Sequence, residues 1–260
     1  MYAYLWATAG QPAPHVPAVL HGVGIDRRRR PSGLYVAWSS LVLQIGHNGL
    51  VRDQEALVQT IIGEGVRDPR LLQALRRVPR AGFVPPDLVE AAYLDRPLPI
   101  PHRQVTTQPS LTAKMIEALE LEVSERVLEV GAGYGFQTAL LAHLSGFVWS
   151  VERWPDVAET ARENLTRYGV ANVEVVVGDG TEGIVEHAPY GAILVSAAFP
   201  SVPPPLAEQL ALGGRLVQPI GSGGEEIVVL FEKGPQGLTH RRNITGAHFV
   251  RLYGRHGFPE

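Results

Sequence analysis

The stretch VLEVGAGYGFQTA, residues 127–139, decides how this chain is read. It passes from a short apolar run with strand character, through Gly131, Gly133 and Gly135, into FQTALLAHLSG, which has helical character. Glycines at a strand-to-helix turn permit backbone angles closed to other residues, and let the main chain approach a ligand that side chains would block. Taken alone the turn is a weak signal, because turns of this kind also bind dinucleotides.

The next two strands narrow the choice. FVWSVE ends in Glu152, where a carboxylate can accept both hydroxyls of a ribose, and VEVVVGDG ends in Asp179 and Gly180, where an acid can receive an adenine amino group beside a close backbone. The alternate-glycine spacing departs from the G-x-G-x-x-G dinucleotide fingerprint. Acids after successive strands therefore favour S-adenosylmethionine over NAD. With Glu129, Ala132 and Gln137 of the same turn, these residues make up the candidate cofactor site.

Working outward, RVLEVG, FVWSVER, VEVVVGDG, YGAILVSAA and RLVQPIG alternate with the amphipathic segments FQTALLAHLSG, PDVAETARENLTRYG and PPPLAEQLALGG. Short apolar runs interleaved with helices specify a parallel sheet covered on both faces. EIVVLFEKG and GLTHRRNITGAHFVRLYG follow without helix signals, so the sheet is expected to end antiparallel. The expected fold is α/β: a Rossmann-like, doubly wound, mostly parallel sheet with an antiparallel C-terminal end and additional N-terminal helices.

Those N-terminal helices are expected in QEALVQTIIGEGV, from the spacing of Leu57, Ile61, Ile62 and Val66, and in DPRLLQALRRVP, where Asp68 and Pro69 open a helix bearing Leu71, Leu72 and Leu75. A turn-rich, extended segment, RAGFVPPDLVEAAYLDRPLPIP, leads to the polar loop HRQVTTQPSL, residues 102–111. The loop meets a helix with an apolar stripe at Leu111, Met115, Leu119 and Leu121, which Ser110 is expected to cap. Residues 1–50 are read as a low-order leader rich in Pro and Gly, with the arginine run Arg27–Arg30 taken as a solvated tail. Residues 51–260 are expected to form one domain, 51–112 supplying helices and substrate loop and 113–260 the Rossmann-like core.

At 260 residues, 45% hydrophobic and 19% charged, the chain can bury a substantial core. A net charge of −3 argues against a dominant nucleic-acid surface. YVAWSSLVLQIG falls short of the roughly 20 apolar residues that span a bilayer, and RRRR follows rather than precedes the early apolar run, so neither a membrane helix nor an export signal is read. The lack of cysteine fits a reducing compartment and excludes a thiolate nucleophile.

LVQTIIGEGVRDPRLLQALRRVPRAGFVPPDLVEAAYLDRPLPI, QVTTQPSLTAKMIEAL, VLEVGAGYGFQTALLAHL, VVVGDGTEG and APYGAILVSAAFPSVPPPLAEQLALGGRLVQPIG, in this order over about residues 51–221, resemble the protein-L-isoaspartate O-methyltransferase family. HFVRLYGRHGF is a weaker echo. The resemblance implies a metal-free enzyme, which is expected to be a cytoplasmic monomer. It would transfer the methyl group of S-adenosylmethionine to the α-carboxylate of isoaspartyl residues in damaged proteins, whose ester then cyclises to a succinimide. Thr107 stands where the family's loop, G-Q-T-I-S-Q-P, carries serine, and is the candidate catalytic residue. Thr106, Gln108 and Ser196 are assigned to the substrate loop and its surroundings. Two further departures are Gly191, where the family carries Asp after A-P-Y, and Tyr134 with Phe136 in the glycine turn.

Other readings stay open from the sequence: a noncatalytic S-adenosylmethionine-binding or interaction module, or a methyltransferase for another carboxylate. His102, His143 and His187 lack the close ligand pairs of a metal site and are read as solvated or packing residues. Ser196 lacks G-x-S-x-G surroundings, and the prolines before Leu206 are read as stiffening a loop.

Overall fold

The computed structural model describes residues 53–259; the leader and its arginine run lie outside them. Residues 53–63 form helix α1 and Pro69–Arg77 form α2. Asp68 caps α2, its Oδ1 accepting from Arg70 N at 2.8 Å, which satisfies a first-turn amide that has no partner within the helix. Leu57, Ile61, Val66, Leu71 and Leu75 are buried.

Two 3-10 turns, Arg80–Phe83 and Pro86–Ala91, lead to a separate antiparallel hairpin of β1 (Leu98–Ile100) and β2 (Gln104–Thr106). Helix α3 (Pro109–Ala118) follows directly. Its N-terminus corrects the expectation for Ser110. Gln108 occupies the cap position, Ser110 is buried, and the Ser110 amide donates to Asp95 Oδ1 at 2.9 Å. A carboxylate from the preceding turn serves the helix end, a contact no local pattern reveals.

The main sheet orders β5 (Val173–Val177), β4 (Phe147–Glu152), β3 (Arg126–Val130), β6 (Tyr190–Val195), β7 (Leu210–Ile220), β8 (Glu226–Gly234) and β9 (Gly237–Ala247). The first five are parallel and the last two antiparallel. Helices α4 (Phe136–Leu144), α5 (Pro155–Arg167) and α6 (Pro204–Gln209) make the crossovers. Side chains alternate along β3: Val127 joins the core under α1–α5, whereas Leu128 and Val130 join a second core with Leu206 and Leu252. Each such large apolar side chain contributes on the order of 1.5–3 kcal/mol when fully buried.

LALGG, read with the preceding helix from sequence, belongs instead to β7. The helix stops where Gln209 buries its amide, donating to Glu182 O and accepting from Ile184 N, and where Leu210 enters the second core. Gly191 also has a spatial reason. A Cβ there would lie 2.7 Å from Glu125 Oε1, because Glu125 pairs with Arg215 across that space while Arg215 Nη1 also donates to the Gly191 carbonyl.

Candidate active site

Strand order reverses between β3 and β6, and the crevice at their carboxyl ends is where open α/β sheets bind ligands. The residues that follow those strands, Gly131 and Ser196, line one pocket there. Gly131, Gly133 and Gly135 have φ of 95°, 54° and 92°, a left-handed sequence that side chains would strain. Asn164 of α5 fastens this turn by donating to the Tyr134 carbonyl at 3.1 Å, and Phe136 packs beside Phe83.

Glu129 lies beneath the turn. Fully buried, it accepts from Gln137 Nε2 at 2.9 Å, Thr138 Oγ1 at 2.5 Å and Ser150 Oγ at 2.6 Å. Burial pushes its carboxyl up to about 7, against the opposing pull of those hydrogen bonds. Its position holds the floor of the turn rather than the pocket wall.

Glu152 is 7% exposed and does line the pocket. Its Oε2 accepts from Gly133 N at 3.0 Å and its Oε1 from Trp154 N at 3.1 Å, leaving each oxygen further acceptor capacity. Burial raises its carboxyl, with the Trp154, Gly133 and Arg153 amides pulling it back. Gln137 divides its amide protons between Glu129 and Ser196 Oγ, while its Oε1 is buried with no hydrogen-bond partner among the described residues. A ribose offers its hydroxyl pair to an acid such as Glu152, and an ammonium group suits a buried acceptor such as Gln137 Oε1. The residues present therefore fit S-adenosylmethionine.

Ala132 and Gly180 also line this pocket. A Cβ at Gly180 would lie 2.4 Å from Val130 Cγ1, which accounts for glycine there. Asp179 sits differently. Its Oδ1 accepts from the amide and hydroxyl of Thr181, and its Oδ2 from Arg255 N at 2.7 Å, so it anchors the C-terminal turn. That turn brings Arg251, Leu252 and Tyr253 to the pocket.

A second groove adjoins the first, formed by the loop 105–108, the start of α3 and residues 245–250. Thr107 and Ser196 line both. Thr106 Oγ1 accepts from Arg80 Nη2 at 3.0 Å and from Leu98 N at 3.1 Å, and Gln108 Nε2 donates to Asp95 Oδ2 at 3.0 Å. By contrast, the Thr107 hydroxyl has no hydrogen-bond partner among the described residues. Its neighbours are fixed, and it is left free at the junction.

Arg80 is the functional-site support the sequence did not disclose. Only 1% exposed, it donates to the carbonyls of Ala92, Leu94 and Arg96 and to Thr106, which ties the loop to the preceding turns. Burial lowers its guanidinium to about 10. In a segment containing RRVPR, nothing distinguishes a buried arginine from its solvated neighbours. Among the described residues no helix is long and apolar enough to cross a membrane, and no group of three or more His, Asp or Glu side chains is placed to hold a metal ion.

A switch-point crevice with a left-handed glycine turn and a buried acid ending the neighbouring strand is a nucleoside-cofactor site of the Rossmann-like kind, and the comparisons with known proteins make it that of an S-adenosylmethionine-dependent methyltransferase. A family model described as protein-L-isoaspartate(D-aspartate) O-methyltransferase matches residues 52–257. The protein-L-isoaspartate O-methyltransferase of Methanoculleus marisnigri is 48% identical over 209 residues, covering 80% of this chain and 94% of that protein. A solved protein-L-isoaspartate O-methyltransferase is 30% identical with a TM-score of 0.70, covering 78% of this chain and 67% of the other. A Plasmodium falciparum structure of the same description, in complex with S-adenosyl-L-homocysteine, shares the fold at 22% identity and a TM-score of 0.66, covering 77% and 98%. This chain belongs to the protein-L-isoaspartate(D-aspartate) O-methyltransferase family, whose members methylate isoaspartyl residues of proteins.

Proposed function

We propose that the switch-point pocket holds S-adenosylmethionine, that the adjoining groove holds an isoaspartyl segment of a damaged protein, and that methyl transfer occurs where Thr107 and Ser196 border both. The observation that carries this reading is that shared boundary. S-Adenosylmethionine, when bound, supplies an electrophilic sulfonium methyl group.

The chain's own task is mainly alignment. A model α-carboxyl has a pKa of about 3.3–3.7, so the acceptor carboxylate is ionised at neutral pH and needs no strong general base. Holding two reactants in attack geometry contributes on the order of 7–11 kcal/mol in well-oriented systems. In this reading Thr107 donates a hydrogen bond to one carboxylate oxygen and leaves the other directed at the methyl carbon. Thr106 and Gln108 hold the loop, and Ser196, itself held by Gln137, forms the opposite side. Glu152 takes the ribose hydroxyls, and the turn Gly131–Gly135 with Gln137 takes the amino-acid end.

The ester formed cyclises without further help, the adjoining backbone amide nitrogen losing its proton and displacing methanol to give a succinimide, and hydrolysis returns part of the substrate to a normal aspartyl linkage. The reading includes one catalytic domain over residues 51–260, acting as a monomer in the cytoplasm on protein and peptide substrates. Transfer of labelled methyl groups to matched isoaspartyl and aspartyl peptides tests it. Preference for the isoaspartyl peptide is expected; equal transfer to both, or transfer to neither, rejects it.

A further inference from the structure

We propose that His102 is a positioning residue for the methyl donor, latching the β1–β2 hairpin to the start of α5 beside the pocket. The inference rests on the assignment of that pocket to S-adenosylmethionine. The hairpin is separate from the main sheet, and a lone two-stranded hairpin is marginally stable in water. Yet Ile100, Gln104 and Val105 of this hairpin form part of the pocket wall. Something must hold its tip.

The tip has an unusual backbone. Gln104 N donates to Pro101 O at 3.1 Å, closing a tight turn whose central residues, His102 and Arg103, have φ of 58° and 57°. Turns with two left-handed central residues favour Asn-Gly or Gly-Gly, and although His enters that region more readily than most side chains, Arg does nothing to lower its cost. Tertiary contacts at the tip supply the reason it persists.

Those contacts converge on His102. Its ring stacks on Trp154 with centroids 3.9 Å apart and planes 7° from parallel, and its Nε2 lies 2.9 Å from both carboxylate oxygens of Asp156. Trp154 in turn gives its amide to Glu152 Oε1, and its ring is approached by the Arg153 guanidinium at 5.0 Å. Arg153 also lies 5.3 Å from the ring of Tyr253 on the C-terminal turn. Hairpin, acid-bearing loop and C-terminal turn thus meet around one aromatic pair. With the latch closed, the hairpin wall and the ribose acid are held together; without it, bound donor escapes faster.

The test measures binding and dissociation of S-adenosylhomocysteine by the full chain, together with KM for S-adenosylmethionine and kcat. His102→Ala is expected to weaken binding by about 3- to 10-fold, the scale of one stacked ring pair, mainly through faster dissociation. KM for the donor should rise more than kcat falls. His102→Phe, which keeps the stack, restores most of the loss. His102→Gly relaxes the left-handed turn but lacks a ring, and should bind as weakly as His102→Ala even if its melting temperature equals or exceeds the parent's. Parent-like dissociation in both His102→Ala and His102→Gly overturns the latch, as does a loss that His102→Phe fails to rescue. A parent that does not bind S-adenosylhomocysteine at all sinks the pocket assignment as well, which separates the two failures.

Discussion

Glu152 Oε2 accepts the backbone N–H of Gly133 at 3.0 Å, so the acid that ends β4 is tied to the glycine turn after β3. Because Oε1 also accepts a backbone amide, from Trp154, a glutamine at this position must turn its NH2 against an N–H in either orientation. That mismatch lowers stability with or without ligand; affinity falls because a neutral amide replaces the charged acceptor for the ribose hydroxyls, so Glu152→Gln should also raise the dissociation constant for S-adenosylhomocysteine by about tenfold or more, the roughly 1.5–3 kcal/mol of a hydrogen bond to a charged group. Calorimetric titration giving parent affinity would remove Glu152 from the cofactor site.

At the junction of the two concavities, the Thr107 hydroxyl, without a hydrogen-bond partner among the described residues, sets a different test. A hydrogen bond to a charged group is worth about 1.5–3 kcal/mol, so Thr107→Val should lower kcat/KM for an isoaspartyl peptide by about 10- to 100-fold. Thr107→Ser, which keeps the hydroxyl, should retain most activity. If Thr107→Val binds cofactor and turns over like the parent, the hydroxyl has no role in the reaction.

Restoring the family's acid at position 191 is expected to harm this chain. The side-chain space is taken by Glu125, whose carboxyl burial would raise but which the Arg215 hydrogen bonds hold below its usual range. Gly191→Asp adds bulk and like charge against it and should cost about 1–3 kcal/mol of stability in chemical denaturation. Glu125→Ala in the same chain should recover part of that loss, since contacting residues do not contribute additively. An unchanged denaturation midpoint for Gly191→Asp alone would show that Glu125 moves aside freely.

Buried Glu129 makes stability depend on pH in the direction opposite to most carboxylates. Its carboxyl is raised from 4.5 to about 7, so between these values the folded chain holds a proton that the unfolded chain has released. Its contribution is fully present below pH 4.5 and is lost as pH rises towards 7. Glu129→Gln puts an NH2 where Gln137, Thr138 and Ser150 already donate to both oxygens, without a hydroxyl that can turn aside as the neutral acid's does, and should be less stable throughout. The stability difference between parent and variant should nevertheless narrow across that window. A difference that widens as pH rises there would contradict the raised titration.

Much of the architecture was written locally. Alternating apolar runs and amphipathic segments in 126–220 mark the parallel strands and their crossovers, and Asp68–Pro69 marks the start of α2, because these signals depend on neighbours within a few residues. The hairpin at 98–106 was not legible beyond being extended: its strands are three residues long, and its turn carries His and Arg in place of the usual glycine or asparagine. Ser110 resembled a cap, but the partner of its amide is Asp95, outside the local pattern.

For the site, sequence alone determined the residue types: an alternate-glycine turn, acids after two successive strands and a hydroxyl-bearing loop before a helix. Only the tertiary structure decided their division of labour. Glu152 faces the pocket while Glu129 is buried beneath it, and Asp179 accepts from Thr181 and Arg255 of the C-terminal turn. Chemical type is carried by each residue, but whether a carboxylate meets ligand, core or another loop depends on what long-range packing places against its remaining lone pairs.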